Sequence, residues 1–100
     1  MIITTTPNIE GHPIVNYLGI VTGTSMSYKK GGLTFSMEKY YNALESQLDI
    51  LKEEAFQKLK DNAVKLGANA IVGVSSDIEI DGTTSGISIS VIGTAVVCKI

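Results

Sequence analysis

The chain has 100 residues, enough for one hydrophobic core but too few for two cores and a linker, so we expect a single domain over residues 1–100. Hydrophobic residues make up 44% and charged residues 18%, which excludes disorder for most of the chain and predicts apolar surface left over for contacts between subunits. The net charge of −2, without a basic stripe, argues against nucleic acid as a partner.

The first predicted strand runs from Ile14 to Thr22, a segment rich in β-branched and aromatic residues. Before it, we expect a short extended segment from Met1 to Thr5, which ends where Pro7 and other turn residues begin. After it, residues 23–34 contain glycines, serines and a pair of lysines, a composition typical of a loop. We therefore expect Gly23 to end the strand.

A long amphipathic helix is predicted from Met37 onwards, because apolar residues recur there every three or four positions. Ser36 is the predicted N-cap, and Gly67 is the predicted left-handed residue that ends the helix. Tyr40 and Tyr41 belong to the apolar stripe and are interpreted as core residues, with a ligand pocket between subunits as the alternative. The opposite face is interpreted as solvated, and it carries Glu45, Asp49, Glu53, Glu54, Lys58 and Asp61.

Two further strands are predicted after the helix, because the hydrophobic period changes to two. The first spans 70–80 and the second begins at Ile87, with a glycine-bearing hairpin loop between them. From Val91 to Cys98 the last strand is apolar on both faces. Because one helix covers only one face of a sheet, we expect a second copy of the chain to cover the other face.

Four motifs follow one another along the chain: Thr4-Thr5-Thr6-Pro7-x-x-x-Gly11, Leu18-Gly19-Ile20-Val21-Thr22-Gly23, Leu66-Gly67-Ala68-Asn69-Ala70-Ile71-Val72-Gly73-Val74, and Gly93-Thr94-Ala95-Val96. Together they resemble the YbjQ-like family, also called the putative heavy-metal-binding domain. The resemblance implies a dodecin-like β-α-β-β subunit of the α+β class. In that subunit one long helix packs on an antiparallel sheet of order 1-3-2. The resemblance also implies assembly into a ring, with a pentamer as the expected form.

The metal label of this family directs attention to His12 and Cys98. With strand order 1-3-2, the residue before the first strand and the residue that ends the last strand lie at the same end of the sheet. A closed site for zinc or a similar ion needs four nitrogen or sulfur ligands, so two per subunit would have to be multiplied by ring assembly. In the alternative interpretation, Cys98 is a small buried hydrophobic residue and His12 is a loop residue.

A second candidate metal site consists of Asp77, Glu79 and Asp81, which alternate along the predicted strand. Alternation spaces successive carboxylates about 6–7 Å apart, and clustered carboxylates are the ligands of hard cations such as Ca²⁺. The alternative interpretation is a solvated strand end beside a hairpin. A divalent or heavy metal ion is thus the only cofactor that the sequence suggests.

No secretory signal or transmembrane segment is recognisable. The first residues lack a positive region followed by an apolar run, and the longest uncharged apolar stretch is far shorter than the roughly 20 residues that cross a bilayer. With a single cysteine, this predicts a cytoplasmic protein that has no membrane partner.

Catalytic motifs are also missing: no nucleophile elbow or phosphate-binding glycine loop occurs, and one histidine provides no acid–base pair. We therefore interpret the chain as a homo-oligomeric, non-catalytic binding or structural module. The alternative is an enzyme whose active site is assembled only at subunit interfaces.

Overall fold

A computed structural model describes residues 1–28, 37–80 and 86–100. Its elements are β1 (Ile2–Ile3), β2 (Ile14–Tyr28), α1 (Met37–Lys65), β3 (Ala70–Ile80) and β4 (Gly86–Cys98). The strands form one sheet of order β1-β3-β4-β2, and α1 packs on one face of it, mainly over β2 and β4. The predicted α+β class, with one long helix on a sheet, is confirmed.

The N-terminal segment is a strand of this sheet. Ile2 and Ile3 pair in parallel with Ala70 and Ile71, whereas β4 runs antiparallel to both of its neighbours. The expected antiparallel sheet of three strands is therefore a mixed sheet of four. Beyond β1, the carbonyls of Thr4 and Thr6 accept hydrogen bonds from the backbone of Val74 and Gly73, at 3.0 and 2.9 Å. The threonine-rich motif thus hydrogen-bonds to the edge of β3 beyond the residues that pair with β1.

The loop predicted to begin at Gly23 is wrong for residues 23–28, because β2 continues through them. Gly23 pairs with Val91, and the pairing with β4 continues as far as Tyr28 opposite Gly86. On the face toward α1, this half of β2 carries Gly23, Ser25 and Ser27. Small residues are needed at these positions, because the helix lies close to the strand. Residues 29–34 of the predicted loop lie outside the described residues.

The helix ends as predicted. Gly67 has a φ of 85°, the left-handed conformation that glycine adopts without strain. Its N–H donates to the carbonyl of Val64 at 2.9 Å, and the N–H of Ala68 donates to the carbonyl of Ala63 at 3.1 Å. This is the Schellman pattern, which satisfies the last carbonyls of a helix. The predicted N-cap Ser36, the hairpin loop 81–85 and the side chains of Tyr40 and Tyr41 lie outside what the structure describes.

The main core lies between α1 and the sheet. The helix contributes a stripe at four-residue spacing, and β4 contributes the side chains of Ile87, Ile89, Val91 and Ala95. The stripe consists of Leu51, Ala55, Leu59 and Ala63. Alternation of leucine and alanine lets the helix axis approach the sheet at the alanines.

A second, smaller cluster lies on the sheet face opposite α1. It contains Ala70, Val72, Val96 and Cys98, against which Ile2, Ile9 and Ile14 pack. For Val96 and Cys98, the expectation that another copy of the chain covers this face is therefore wrong, whereas Ile92 of the same strand remains exposed. The chain's own N-terminal segment covers Val96 and Cys98, because the parallel pairing of β1 carries that segment across the end of the sheet.

Within residues 1–28, 37–80 and 86–100, no helix has both the length and the hydropathy that a transmembrane span requires.

Candidate functional site

His12 and Cys98 lie at the same end of the sheet. Ile14 pairs with Cys98, and the backbone N–H of Lys99 donates to the carbonyl of Pro13 at 2.8 Å. The Nδ1 atom of His12 lies 3.1 Å from the carbonyl oxygen of Lys99. Because a carbonyl oxygen only accepts, Nδ1 carries the proton in this hydrogen bond, and Nε2 is the nitrogen that remains for another partner.

Cys98 is oriented into the smaller apolar cluster, where only 3% of its surface is exposed. Its backbone is held by the side chain of Asn69, whose amide donates to the carbonyl of Cys98 and whose oxygen accepts from its N–H, both at 2.8 Å. This environment is that of a packed core residue. It supports the interpretation of Cys98 as a small buried hydrophobic residue.

The carboxylate candidates occupy the outer half of β3. Asp77 pairs with Ser90 and Glu79 with Ser88, so both side chains lie on the face opposite α1 beside serine hydroxyls. Both residues are exposed. Asp81, the third member of the predicted group, lies outside the described residues. A straight strand keeps its carboxylates apart, whereas Ca²⁺ requires six to eight converging oxygens.

These placements test whether one subunit can hold a heavy metal. Across the described ranges, no three or more histidine, cysteine, aspartate or glutamate residues come together in a group suited to a metal ion. The thiol of Cys98 is surrounded by apolar side chains, and His12 contributes a single remaining nitrogen. The donor set that the structure describes in one subunit therefore does not fit a closed tetrahedral site.

A polar groove runs between α1 and the outer edge of β2, and it encloses about 310 Å³. Lys58 Nζ donates to the carbonyl of Thr24 at 2.7 Å, and Asn62 Nδ2 donates to the carbonyl of Thr22 at 2.8 Å. Asp61 and Lys65 also line this groove. The helix side chains thereby occupy carbonyls that an edge strand would otherwise offer to another chain.

Part of the helix surface interpreted as solvated is therefore in contact with β2. Besides Lys58, Glu54 accepts a 2.6 Å hydrogen bond from the hydroxyl of Ser25, which is 2% exposed. The sequence carries a signal for these contacts, since Glu54, Lys58 and Asn62 recur every four residues beside the apolar stripe. Polar residues in that position lie at the border of a helix–sheet contact, within reach of the neighbouring strand.

Comparison with known proteins places this chain among close relatives. A family model described as "Putative heavy-metal-binding" matches residues 1–99. A UPF0145 protein of Clostridium botulinum (strain Alaska E43 / Type E3) is 38% identical, over 99% of this chain and 100% of its own length. A UPF0145 protein of Actinobacillus pleuropneumoniae serotype 5b (strain L20) is 40% identical with the same coverage.

A solved structure has the same fold. It is the crystal structure of a protein of unknown function of the DUF74 family from Pediococcus pentosaceus ATCC 25745, with a TM-score of 0.70 and 28% identity. The similarity covers 97% of this chain and 96% of that one. The match to the family model and the full-length relatives show that this chain belongs to the YbjQ-like, "Putative heavy-metal-binding" family, of which the UPF0145 proteins are also members.

Proposed function

We propose that this protein is a cytoplasmic homo-oligomer that acts as a non-catalytic binding or structural module. The resemblance to its family favours a pentameric ring of dodecin-like subunits. The observation that carries the proposal is the amount of apolar surface that one subunit leaves exposed on its sheet.

Much of this exposed apolar surface lies on the sheet face opposite α1, beyond the part that the N-terminal segment covers. Ile20 is 72% exposed and Ile92 is 44% exposed, and Tyr17 and Met26 on β2 are exposed as well. A group of exposed apolar side chains on one sheet face is typical of a surface that another protein covers. Their position on the sheet supports contacts between subunits rather than a pocket for a small ligand.

The dimensions of the subunit support the same proposal. Its accessible surface is 6627 Å², against about 5,500 Å² for a compact monomer of this mass. The radius of gyration is 16.6 Å, against about 13 Å for a compact domain of this length. The surplus, about 1,100 Å², exceeds the roughly 800 Å² that each partner buries in a standard interface.

A structural or binding role is also supported by the polar groups that could be mistaken for catalytic ones. The Ser25–Glu54 pair joins a hydroxyl to a carboxylate, yet the serine is buried between β2 and α1 and is out of reach of a substrate. This contact attaches the helix to the strand. Hydroxyl nucleophiles of enzymes face a cleft instead.

The oligomeric state tests the proposal. Size-exclusion chromatography with light scattering at micromolar concentration should give about five times the subunit mass of 10.6 kDa. The control is a dilution series, in which a specific ring dissociates at one defined concentration range, whereas non-specific association changes gradually. A monodisperse monomer throughout the series would contradict the proposal.

The family's metal label leads to a second measurement. We expect freshly purified, untagged protein to contain much less than one zinc or copper ion per subunit, because a subunit contributes His12 and Cys98 where a closed site needs four ligands. Elemental mass spectrometry measures the metal content directly. His12→Ala and Cys98→Ala should leave zinc titrations almost unchanged. Near-stoichiometric metal that both variants lose would instead show that assembly creates a site.

A further inference from the structure

We infer that neighbouring subunits join through two different apolar patches, one on each face of the sheet. The first, the β2 face patch, consists of Tyr17, Ile20 and Ile92. The second, the β3 edge patch, consists of Ile78 and Ile80. This inference rests on the proposed homo-oligomer and names the surfaces that hold it together.

The β2 face patch lies on the sheet face opposite α1. Val21 belongs to the core under the helix, and successive side chains of a strand alternate, so Ile20 is on the other face. Ile92 follows the buried Val91 in the same way and pairs with Thr22. A β-bulge between Tyr17 and Gly19 brings Tyr17, which pairs with Val96, onto the same face. The three side chains thus form one continuous surface.

The β3 edge patch lies on the face that α1 packs against. Ile78 pairs with Ile89 and Ile80 with Ile87, and both partners on β4 are core residues under the helix. Directly paired residues of antiparallel strands share a face. However, α1 lies over β2 and β4, so Ile78 and Ile80 remain 42% and 52% exposed. In the part of the chain that the structure describes, the core face of the sheet is therefore exposed one strand away from the helix.

The edges of the sheet are less suitable for joining subunits. At β2, the carbonyls of Thr22 and Thr24 already accept hydrogen bonds from Asn62 and Lys58. At β3, the N-terminal segment covers the strand from Ala70 to Val74. Strand addition at these positions would have to break these hydrogen bonds, whereas covering the two patches breaks none of them. Subunits that overlap, with the β3 edge patch of one lying on the β2 face patch of the next, would bury both patches.

Contact between unlike patches follows from their positions on the sheet. The β2 face patch lies on the face opposite α1, whereas the β3 edge patch lies on the face toward α1. A two-fold contact of either patch with itself joins two copies and leaves the other patch of each exposed to water. A head-to-tail contact places the β3 edge patch of one copy on the β2 face patch of the next and buries both. Such a heterologous contact generates a ring when the rotation closes.

A complementation experiment tests the inference. Ile20→Asp disables the β2 face patch and Ile78→Asp disables the β3 edge patch, and each variant alone should lose the oligomer, with about a five-fold fall in mass. The Ile20→Asp subunit keeps an intact β3 edge patch, and the Ile78→Asp subunit keeps an intact β2 face patch. Mixed in equal amounts up to high micromolar concentration, they should form a dimer with one copy of each, which native mass spectrometry identifies after isotope labelling of one variant.

Three controls make the experiment decisive. Ile50→Asp changes an exposed isoleucine of α1 and should retain the oligomer. Circular dichroism verifies that each variant folds, and Tyr17→Asp with Ile80→Asp forms a second complementing pair. If the wild type is oligomeric but Ile78→Asp remains so, or if neither mixed pair forms a dimer, the inference is wrong while the proposed oligomer stands. A monomeric wild type overturns both.

Discussion

Replacing Gly23 with alanine should lower the free energy of unfolding by about 3 kcal/mol or more, the upper range of overpacking effects. A Cβ atom at this position would lie 2.1 Å from the carbonyl oxygen of Ala55 and 2.8 Å from the backbone nitrogen of Leu59. Both are backbone atoms of α1, which cannot rotate away as a side chain can. The helix would have to move off β2 and give up part of its packing on the core.

Gly67→Ala separates this contact from the general cost of losing a glycine. A Cβ at Gly67 meets no atom within 4 Å, although its φ of 85° strains an alanine by about 1–2 kcal/mol. Urea denaturation at one fixed protein concentration measures both variants, since the stability of an oligomer depends on concentration. Equal losses in the two variants would show that α1 does not approach β2 as closely as the structure indicates.

Gly23 also illustrates what the sequence can and cannot predict. The helix and its end could be predicted, because a long apolar period and the residue after its last turn are local signals. A glycine between a strand and a serine-rich segment indicates either a break or a close approach of another backbone. The choice depends on Ala55, which is distant in sequence, and only the packed structure brings the two together.

The candidate metal residues show a similar division. That His12 and Cys98 share one end of the sheet could be predicted from the strand order that the resemblance implies. The surroundings of Cys98 could not, because they depend on Ile2 and Ile9. Those residues reach the thiol only through the parallel pairing of β1 with β3, and a strand of two residues has no periodic signal.

Asn69→Ala should lower the free energy of unfolding by about 3 kcal/mol, because it leaves two partly buried backbone groups without partners at roughly 1–3 kcal/mol each. In the structure the side chain of Asn69 bonds both the N–H and the carbonyl of Cys98, while its own N–H donates to Val96. It thereby extends the pairing of β3 and β4 by one position. Asn62→Ala, which removes one hydrogen bond to Thr22, is the matched control and should cost about 1 kcal/mol.

Asn69→Asp distinguishes a lost hydrogen bond from a lost contact, because aspartate has nearly the shape of asparagine. Its carboxylate still accepts from the N–H of Cys98 but cannot donate to the carbonyl, and it places a negative charge beside that oxygen. Facing the carbonyl oxygen favours the protonated form, so the pKa of this new carboxyl should be higher in the folded than in the unfolded state. The loss of stability relative to the wild type should therefore be greatest at neutral pH and shrink as the pH falls toward about 4, where an O–H donor returns. Denaturation curves of both proteins across this range measure the difference, and a loss independent of pH would show that Asn69 acts through packing alone.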